Sequence, residues 1–160
     1  MSLIRTKGDL ISLAFEGHFD VIVHGCNCYC AMGAGIAVAI ANRIPAAYEA
    51  DKNTRIGELS KLGTYTKATA MTRTNPVKLF TVINAYTQYS PSVKRDVFEY
   101  EGFQRILDSL AVEYKGSRFG FPYIGMGLAG GDKKRIIPMI EAFAGKVTLA
   151  NGTVTLVEFG

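Results

Sequence analysis

One stretch of the chain constrains the fold more than any other: between residues 21 and 42 an apolar run, a loop of small residues and a helix-like segment follow one another. The β-branched residues at its start favour a strand. At the helix that follows, the first backbone N–H groups have no partner and the helix dipole favours negative charge. Glycines in the loop allow the backbone to approach an anion closely. The stretch therefore predicts a phosphate-binding loop, with His24 and Asn27 as the polar side chains beside it.

A second strand, glycine loop and helix occur at residues 118–144. In open α/β sheets, ligands bind beyond the carboxyl ends of parallel strands, so both glycine loops are expected on one rim. Two anion-binding loops side by side suit a pyrophosphate, as in a nucleoside diphosphate or a dinucleotide fragment. The segment 125–130 matches G-x-G-x-x-G, but too little chain follows for a dehydrogenase and Glu141 comes too early for the ribose-binding acid. A P-loop is excluded because no G-x4-G-K-[ST] occurs.

Strand-like and helix-like segments alternate along the whole chain. This alternation predicts one α/β domain, residues 1–160, with helices on both faces of a mostly parallel sheet. Asp9 is the expected N-cap of the first helix. A short strand, or an approach to one, is expected at 146–149. The predicted strands are 3–6, 19–24, 62–68, 77–87, 118–124 and 153–159, and the predicted helices are 10–14, 36–43, 46–52, 98–114 and 133–144.

Charge and hydropathy exclude several classes of partner. The net charge of +4 is compatible with an anionic ligand, but it is too small and scattered to favour direct binding of nucleic acid. The basic triplet 133–135 is typical of a solvated helix face. No apolar run reaches the length of a membrane span, so no membrane partner is expected. The first residues contain no signal-peptide core, and we therefore expect a cytoplasmic protein.

The chain has three cysteines, Cys26, Cys28 and Cys30. Their odd number and the expected reducing compartment argue against structural disulfides. A zinc site that includes His24 is the alternative to reduced loop cysteines. The C-x-C-x-C spacing is not that of common zinc sites, however, and no second cluster completes a tetrahedron. No clustered carboxylates are visible either, so neither a metal nor a cofactor is expected.

Four motifs, in this order, resemble those of a macrodomain. They are residues 8–10 (Gly-Asp-Leu), 24–37 (His-Gly-Cys-Asn running into Met-Gly-Ala-Gly-Ile-Ala), 84–88 (Asn-Ala-Tyr-Thr-Gln) and 122–132 (Pro-Tyr-Ile-Gly-Met-Gly-Leu-Ala-Gly-Gly-Asp). The chain is most similar to the branch that contains ADP-ribose 1''-phosphate phosphatases and small ADP-ribosyl glycohydrolases. The resemblance covers residues 4–159. It implies a three-layer α/β/α fold around a mixed, mostly parallel sheet that binds ADP-ribose at its rim.

The resemblance also implies which residues contact ADP-ribose. Asp9 would accept a hydrogen bond from the adenine amino group, which suits an acceptor-only carboxylate, and the Leu10 backbone would assist. Asn27 would hold the hydroxyls of the distal ribose. The residue that stacks on adenine corresponds to Val157, with Phe159 as a nearby substitute. The glycine loops would wrap the diphosphate and the distal ribose through Met32, Gly33, Ala34, Gly35, Ile36, Gly125, Met126, Gly127, Leu128 and Ala129.

The resemblance implies three catalytic candidates, His24, Asn27 and Asp132. His24 matches a histidine proposed for catalysis in the phosphatase branch, and its alternative role is that of a buried, hydrogen-bonded histidine at a strand end. Asp132 either positions water or caps the following helix. The lysine that some glycohydrolases of this branch use to attack the ribose is absent from residues 84–88. Lys133 stands where relatives often have a tryptophan.

Three functions remain open on these residues. The first is a phosphatase that removes the terminal phosphate of ADP-ribose 1''-phosphate, and the absent lysine favours it or a water-based route. The second is a hydrolase that releases ADP-ribose from a protein, a nucleic acid or an acetyl ester. The third is a non-catalytic module that binds ADP-ribose. The expected partners are therefore ADP-ribose, ADP-ribose 1''-phosphate and ADP-ribosylated macromolecules.

Overall fold

A computed structural model describes residues 2–91, 97–126 and 130–160, and the strands of these residues form one six-stranded sheet. The strand order is β1-β6-β5-β2-β4-β3. Neighbouring strands are parallel except β3 and β4, which are antiparallel. The sheet is therefore mixed and mostly parallel, as expected. Its strands are β1 (Leu3–Gly8), β2 (Val21–Cys26), β3 (Tyr65–Met71), β4 (Leu79–Tyr86), β5 (Arg118–Phe121) and β6 (Thr153–Phe159).

Helices cover both faces of the sheet, which confirms the three-layer α/β/α arrangement. One face packs against the first three helices, and the other face packs against the last two. In the described residues no helix has the length and apolar character needed to cross a membrane. The helices are α1 (Leu10–Phe15), α2 (Ile36–Arg43), α3 (Pro45–Lys52), α4 (Tyr100–Glu113) and α5 (Lys133–Leu149), with a 3-10 turn at Leu59–Lys61.

The end of helix α5 and the end of strand β2 differ from the prediction. Residues 146–149 are the last turn of α5, so the strand predicted there was wrong. Ile140, Ala144 and Val147 are buried at helical spacing, and this apolar stripe carries the helix through Gly145. Strand β2 runs two residues further than predicted, to Cys26. His24 therefore lies inside the strand rather than at its end.

The order and direction of the strands determine where a ligand site can lie. Parallel strands β1, β2, β4, β5 and β6 all end at the same edge of the sheet. The segments 27–35, 87–91 and 122–126 leave β2, β4 and β5 at this edge, beside the last residues of β1 and β6. Ligand sites of open α/β sheets lie at such an edge.

Candidate functional site

Two adjoining cavities open at this edge. The loop cavity has a volume of about 350 Å³ and is lined mainly by residues 25–37, with Thr87, Gln88 and residues 122–125. The terminal-strand cavity has a volume of about 590 Å³ and lies against the ends of β1 and β6. Both cavities are lined by Gly35, Ile36, Pro122 and Tyr123, which we call the waist. The two cavities thus form one elongated cleft with two compartments.

The waist is built on the N-terminus of α2. Its N-cap residue is Gly35, whose φ of 59° lies in the region that only glycine adopts without strain. Among the described residues no side chain caps this helix, so its first N–H groups have no side-chain acceptor there. A Cβ added at Gly33 or Gly35 would meet no atom within 4 Å. The waist therefore offers backbone donors, the positive end of a helix dipole and open space, which together suit an anion.

In the terminal-strand cavity the polar anchor is Asp9. Its Oδ1 accepts hydrogen bonds from the backbone N–H groups of Ile11 at 2.9 Å and Ser12 at 3.1 Å, so Asp9 caps α1 as predicted. Its Oδ2 accepts from Arg43 Nη1 at 3.1 Å. The side chain is still 39% exposed, so the capped carboxylate also faces the cavity. Helix capping and ligand binding are compatible roles for this residue. Leu10 and Met126 line the same cavity.

Val157 and Phe159 both line this cavity. Val157 is buried, and Phe159 is 85% exposed at the end of β6. Of the two, Phe159 is the one with an aromatic ring and the freedom to stack on a flat ligand.

Asn27 lines the loop cavity and also braces its own loop. Its Oδ1 accepts from the Tyr29 N–H at 2.8 Å, and its Nδ2 donates to the Ala31 carbonyl at 2.9 Å. Met32, Gly33, Ala34, Gly35, Ile36 and Gly125 line the same cavity. The predicted residues Gly127, Leu128 and Ala129 lie outside the described residues.

His24 is placed away from the cleft. It is 1% exposed and lines neither cavity. Asn84 donates through Nδ2 to the Ala47 carbonyl, so its Oδ1 accepts from His24 Nε2 at 2.7 Å. Burial lowers the pKa of His24 to about 4 and outweighs the opposing effect of this hydrogen bond, so the ring is neutral near pH 7. This geometry favours the alternative role expected for His24, that of a buried and hydrogen-bonded histidine.

Asp132 also lies outside both cavities. Its Oδ1 accepts from the Lys134 N–H at 2.9 Å and caps α5, while its own N–H donates to Tyr100 Oη at 3.0 Å. The capping role is the one that the geometry supports. Of the three catalytic candidates, Asn27 alone lines the cleft.

The chain is similar to several known proteins in sequence and in fold. No protein-family model matches the sequence. An uncharacterized 17.5 kDa protein from the tk-vs intergenic region of Enterobacteria phage T4 is 31% identical over 154 residues, which are 89% of this chain and 90% of the phage protein. The macrodomain of Mycobacterium tuberculosis DarG is 18% identical and superposes with a TM-score of 0.71 over 97% of this chain and 96% of its own. The chain has the macrodomain fold. It belongs to the same family as the phage protein.

A second similar structure contains a bound ligand. Thermosipho africanus DarTG, in complex with ADP-ribose, superposes on this macrodomain with a TM-score of 0.68 and 17% identity. The match covers 90% of this chain and 39% of the Thermosipho chain.

Beneath the loop cavity of this macrodomain lies a set of polar contacts that we call the polar network: His24, Asp51, Lys61, Asn84 and Tyr86. Each is at most 8% exposed. Tyr86 donates through its hydroxyl to Asp51 Oδ1 at 2.7 Å, whereas Asp51 Oδ2 is buried without a hydrogen-bond partner among the described residues. Burial raises the pKa of Asp51. No local pattern indicates this network, because its members stand singly in different elements and meet only on folding.

Lys61 connects this network to the first glycine loop. Its Nζ donates to the Cys28 carbonyl at 2.9 Å, to Thr54 Oγ1 at 2.7 Å and to the Arg55 carbonyl at 3.0 Å. The ammonium also lies 5.0 Å from the centre of the Tyr86 ring. One buried cation thus holds the segment that begins the loop against the segment that follows α3.

The three cysteines are free thiols that pack around the same loop. Cys26 and Cys28 are buried, and burial raises the pKa of both thiols. Cys30 Sγ donates to the Asp51 carbonyl at 3.2 Å. Within residues 2–91, 97–126 and 130–160, no cluster of three or more His, Cys, Asp or Glu side chains is arranged to hold a metal ion.

Proposed function

We propose that this macrodomain binds ADP-ribose along the two-compartment cleft. The observation that carries the proposal is the meeting of the two cavities at the N-terminus of α2. ADP-ribose consists of an adenosine and a second ribose joined by a diphosphate, and the waist supplies the anion-binding part of such a site. The complex of Thermosipho DarTG with ADP-ribose supports the proposal, because that protein shares the fold over 90% of this chain.

In this arrangement adenosine occupies the terminal-strand cavity. The exposed part of the Asp9 carboxylate accepts a hydrogen bond from the adenine amino group, and Val157 and Phe159 contact the base. The distal ribose occupies the loop cavity, where Asn27, Thr87 and Gln88 provide polar side chains. The predicted contacts of Gly33, Gly35 and Ile36 are then those to the diphosphate and the distal ribose.

Calorimetric titration with ADP-ribose tests the proposal, and Gly33→Val is the sharpest variant. Because a side chain at Gly33 meets no protein atom within 4 Å, it fits the fold and occupies space that the ligand would need. We expect an affinity loss of at least about tenfold. Gly145→Val is the matched control, since its added Cβ is also unopposed but lies on α5, away from both cavities. Asn27→Ala is less informative because it also removes the brace of the loop.

Two results would contradict ADP-ribose binding at this cleft. One is a folded wild-type chain that gives no binding heat. The other is a Gly33→Val protein that binds as tightly as the Gly145→Val control.

Hydrolysis of an ADP-ribose derivative is the second candidate, favoured by the polar side chains of the loop cavity. In the described part of the chain these side chains are the amides of Asn27 and Gln88, the hydroxyl of Thr87, the phenol of Tyr123 and the thiol of Cys26, whose pKa burial raises. No carboxylate, imidazole or ammonium group accompanies them there. We therefore propose a route through a bound water positioned by Asn27, with backbone N–H groups of the glycine loop stabilising the developing charge. Removal of the terminal phosphate of ADP-ribose 1''-phosphate and release of a linked ADP-ribose both remain compatible with this route.

Turnover assays separate these reactions from simple binding. The protein is incubated with ADP-ribose 1''-phosphate, O-acetyl-ADP-ribose and a mono-ADP-ribosylated protein, and the products are separated by chromatography. Release of phosphate, acetate or ADP-ribose identifies the reaction, and Asn27→Asp should slow it. His24→Gln should keep the activity of its folded fraction. If all three substrates stay intact at saturating protein concentration, the protein is a binding module.

A further inference from the structure

The basic triplet at the start of α5 divides into three different environments. The Arg135 guanidinium carbon lies 3.6 Å from the centre of the Tyr100 ring. Lys134 is exposed and lines neither cavity. Lys133 differs from both, because it lines the terminal-strand cavity and its Nζ lies 5.4 Å from the centre of the Tyr123 ring. One of three consecutive basic residues is thus directed to the cleft.

The position of Tyr123 locates the Lys133 charge relative to the waist. Tyr123 is one of the four residues that line both cavities. An ammonium held over its ring therefore lies where the two compartments join, at the rim formed by the start of α5. The N-terminus of α2 borders the same waist, so positive potential comes from two separate elements.

Lys133 is also available to a ligand. It is the one cationic side chain among the described residues that line the two cavities. None of the ion pairs between described residues involves Lys133. Two carboxylates line the same cavity: Asp9 is paired with Arg43, and Glu158 is in none of the ion pairs between described residues, Lys133 included. The Lys133 ammonium, held over the Tyr123 ring, can meet a phosphate oxygen as a point charge.

We propose that Lys133 contacts the diphosphate of the ligand and makes the cleft selective for nucleoside diphosphates over unphosphorylated nucleosides. This inference rests on the proposed binding of ADP-ribose and adds a residue to it. Tyr123 acts as the platform that directs the ammonium to the waist. The contact is electrostatic and exposed, so its strength should fall as the salt concentration rises.

Titrations of three ligands against four proteins test the proposal. The ligands are ADP-ribose, ADP and adenosine, and the proteins are wild type, Lys133→Met, Lys133→Arg and Lys134→Met. Methionine has an unbranched side chain of similar length and removes the charge. We expect Lys133→Met to weaken ADP-ribose and ADP about tenfold at low salt and to leave adenosine unchanged. Lys133→Arg should stay within about threefold of wild type because it keeps the charge, and Lys134→Met should bind as wild type does.

The outcomes separate this inference from the proposed function. Equal weakening of adenosine and ADP by Lys133→Met would mean that the residue acts through the shape of the pocket, and the inference would be wrong. Equal binding of ADP by wild type and Lys133→Met would also overturn it, whatever the result with ADP-ribose. A wild-type chain that binds ADP in a Lys133-dependent way but does not bind ADP-ribose would refute the proposed function and keep the diphosphate contact. Failure to bind either ligand would refute both.

Discussion

The two faces of the sheet are packed by different kinds of interaction. The face covered by α4 and α5 is filled with aliphatic and aromatic side chains, among them Phe119, Phe121 and Phe143. Phe143 meets the other two rings edge to face, with centroid distances of 5.1 and 5.7 Å. The opposite face is apolar only over part of its area. Towards the carboxyl ends of β2 and β4 it carries the polar network.

This difference separates what stabilises the fold from what positions the cleft. Apolar burial is non-directional and roughly proportional to area, so it stabilises the domain without setting the exact place of a loop. Hydrogen bonds are directional, and displacing any member of a buried network lowers the stability of the folded chain. Lys61 and Tyr86 lie under the first glycine loop, where position matters for a ligand. We infer that the apolar face maintains the fold and the polar network maintains the geometry of the loop cavity.

A cavity opened on the apolar face should have the largest effect on stability. Phe119 is fully buried and contacts Phe121 and Phe143. Phe119→Ala should lower the free energy of unfolding by about 3–5 kcal/mol in chemical denaturation. The ADP-ribose affinity of the folded fraction should stay at the wild-type value. Val112→Ala is the control, because Val112 is 80% exposed on α4 and its truncation should change stability little.

A large loss of affinity in folded Phe119→Ala would show that the apolar face also positions the cleft. The division between the two faces would then be wrong.

Removal of one charge from the polar network should have the next largest effect. Lys61→Met keeps the length of the side chain and leaves the oxygen acceptors at Cys28, Thr54 and Arg55 without their donor. We expect a loss of about 2–3 kcal/mol in stability, together with weaker ADP-ribose binding by the folded fraction. Lys52→Met, on an exposed lysine paired with Glu49, is the matched control and should affect neither property. If folded Lys61→Met binds ADP-ribose as tightly as wild type does, the polar network does not position the loop cavity.

The same contrast explains which features the sequence could predict. Helix α2 and strand β6 have the predicted bounds, because glycine and asparagine mark their starts and their patterns are local. The end of α5 was missed because Gly145 resembles a helix terminator, while burial of Val147 against the sheet continues the helix. Residues that typically start or end an element can be recognised in a sequence, whereas tertiary packing that continues a helix past them cannot.

The residues at and around the cleft also separate into those that local motifs predict and those that only the fold brings together. The loop residues Asn27, Gly33 and Gly35 were proposed from local motifs, and the structure places them around one cavity. Asp51 and Lys61 were not predicted, since each is one polar residue among many until α3 and the 3-10 turn bring them to Tyr86 at the end of β4. Strand β2 extends two residues past His24, and the buried His24 lines neither cavity.

Titration of the buried His24 should have the smallest effect on stability. Folding lowers the pKa of His24 to about 4, below the value near 6.5 of the unfolded chain. Between these values the unfolded chain binds a proton that the folded chain does not, so the stabilisation is complete above pH 6.5 and is lost as the pH falls towards 4. This group alone should reduce the free energy of unfolding by about 1.4 kcal/mol between pH 8 and pH 5.5. Asp51, whose pKa is raised, contributes in the opposite direction at acidic pH.

Denaturation at several pH values in wild type, His24→Gln and His18→Gln isolates the contribution of His24. His18 is exposed, so His18→Gln serves as the control for loss of a histidine outside the core. The difference between wild type and His24→Gln should shrink by about 1.4 kcal/mol between pH 8 and pH 5.5, and groups common to both proteins cancel from it. A constant difference would mean that His24 has the same pKa in the folded and the unfolded chain. The ring would then not be desolvated by folding, and the assignment of His24 to the buried polar network would fail.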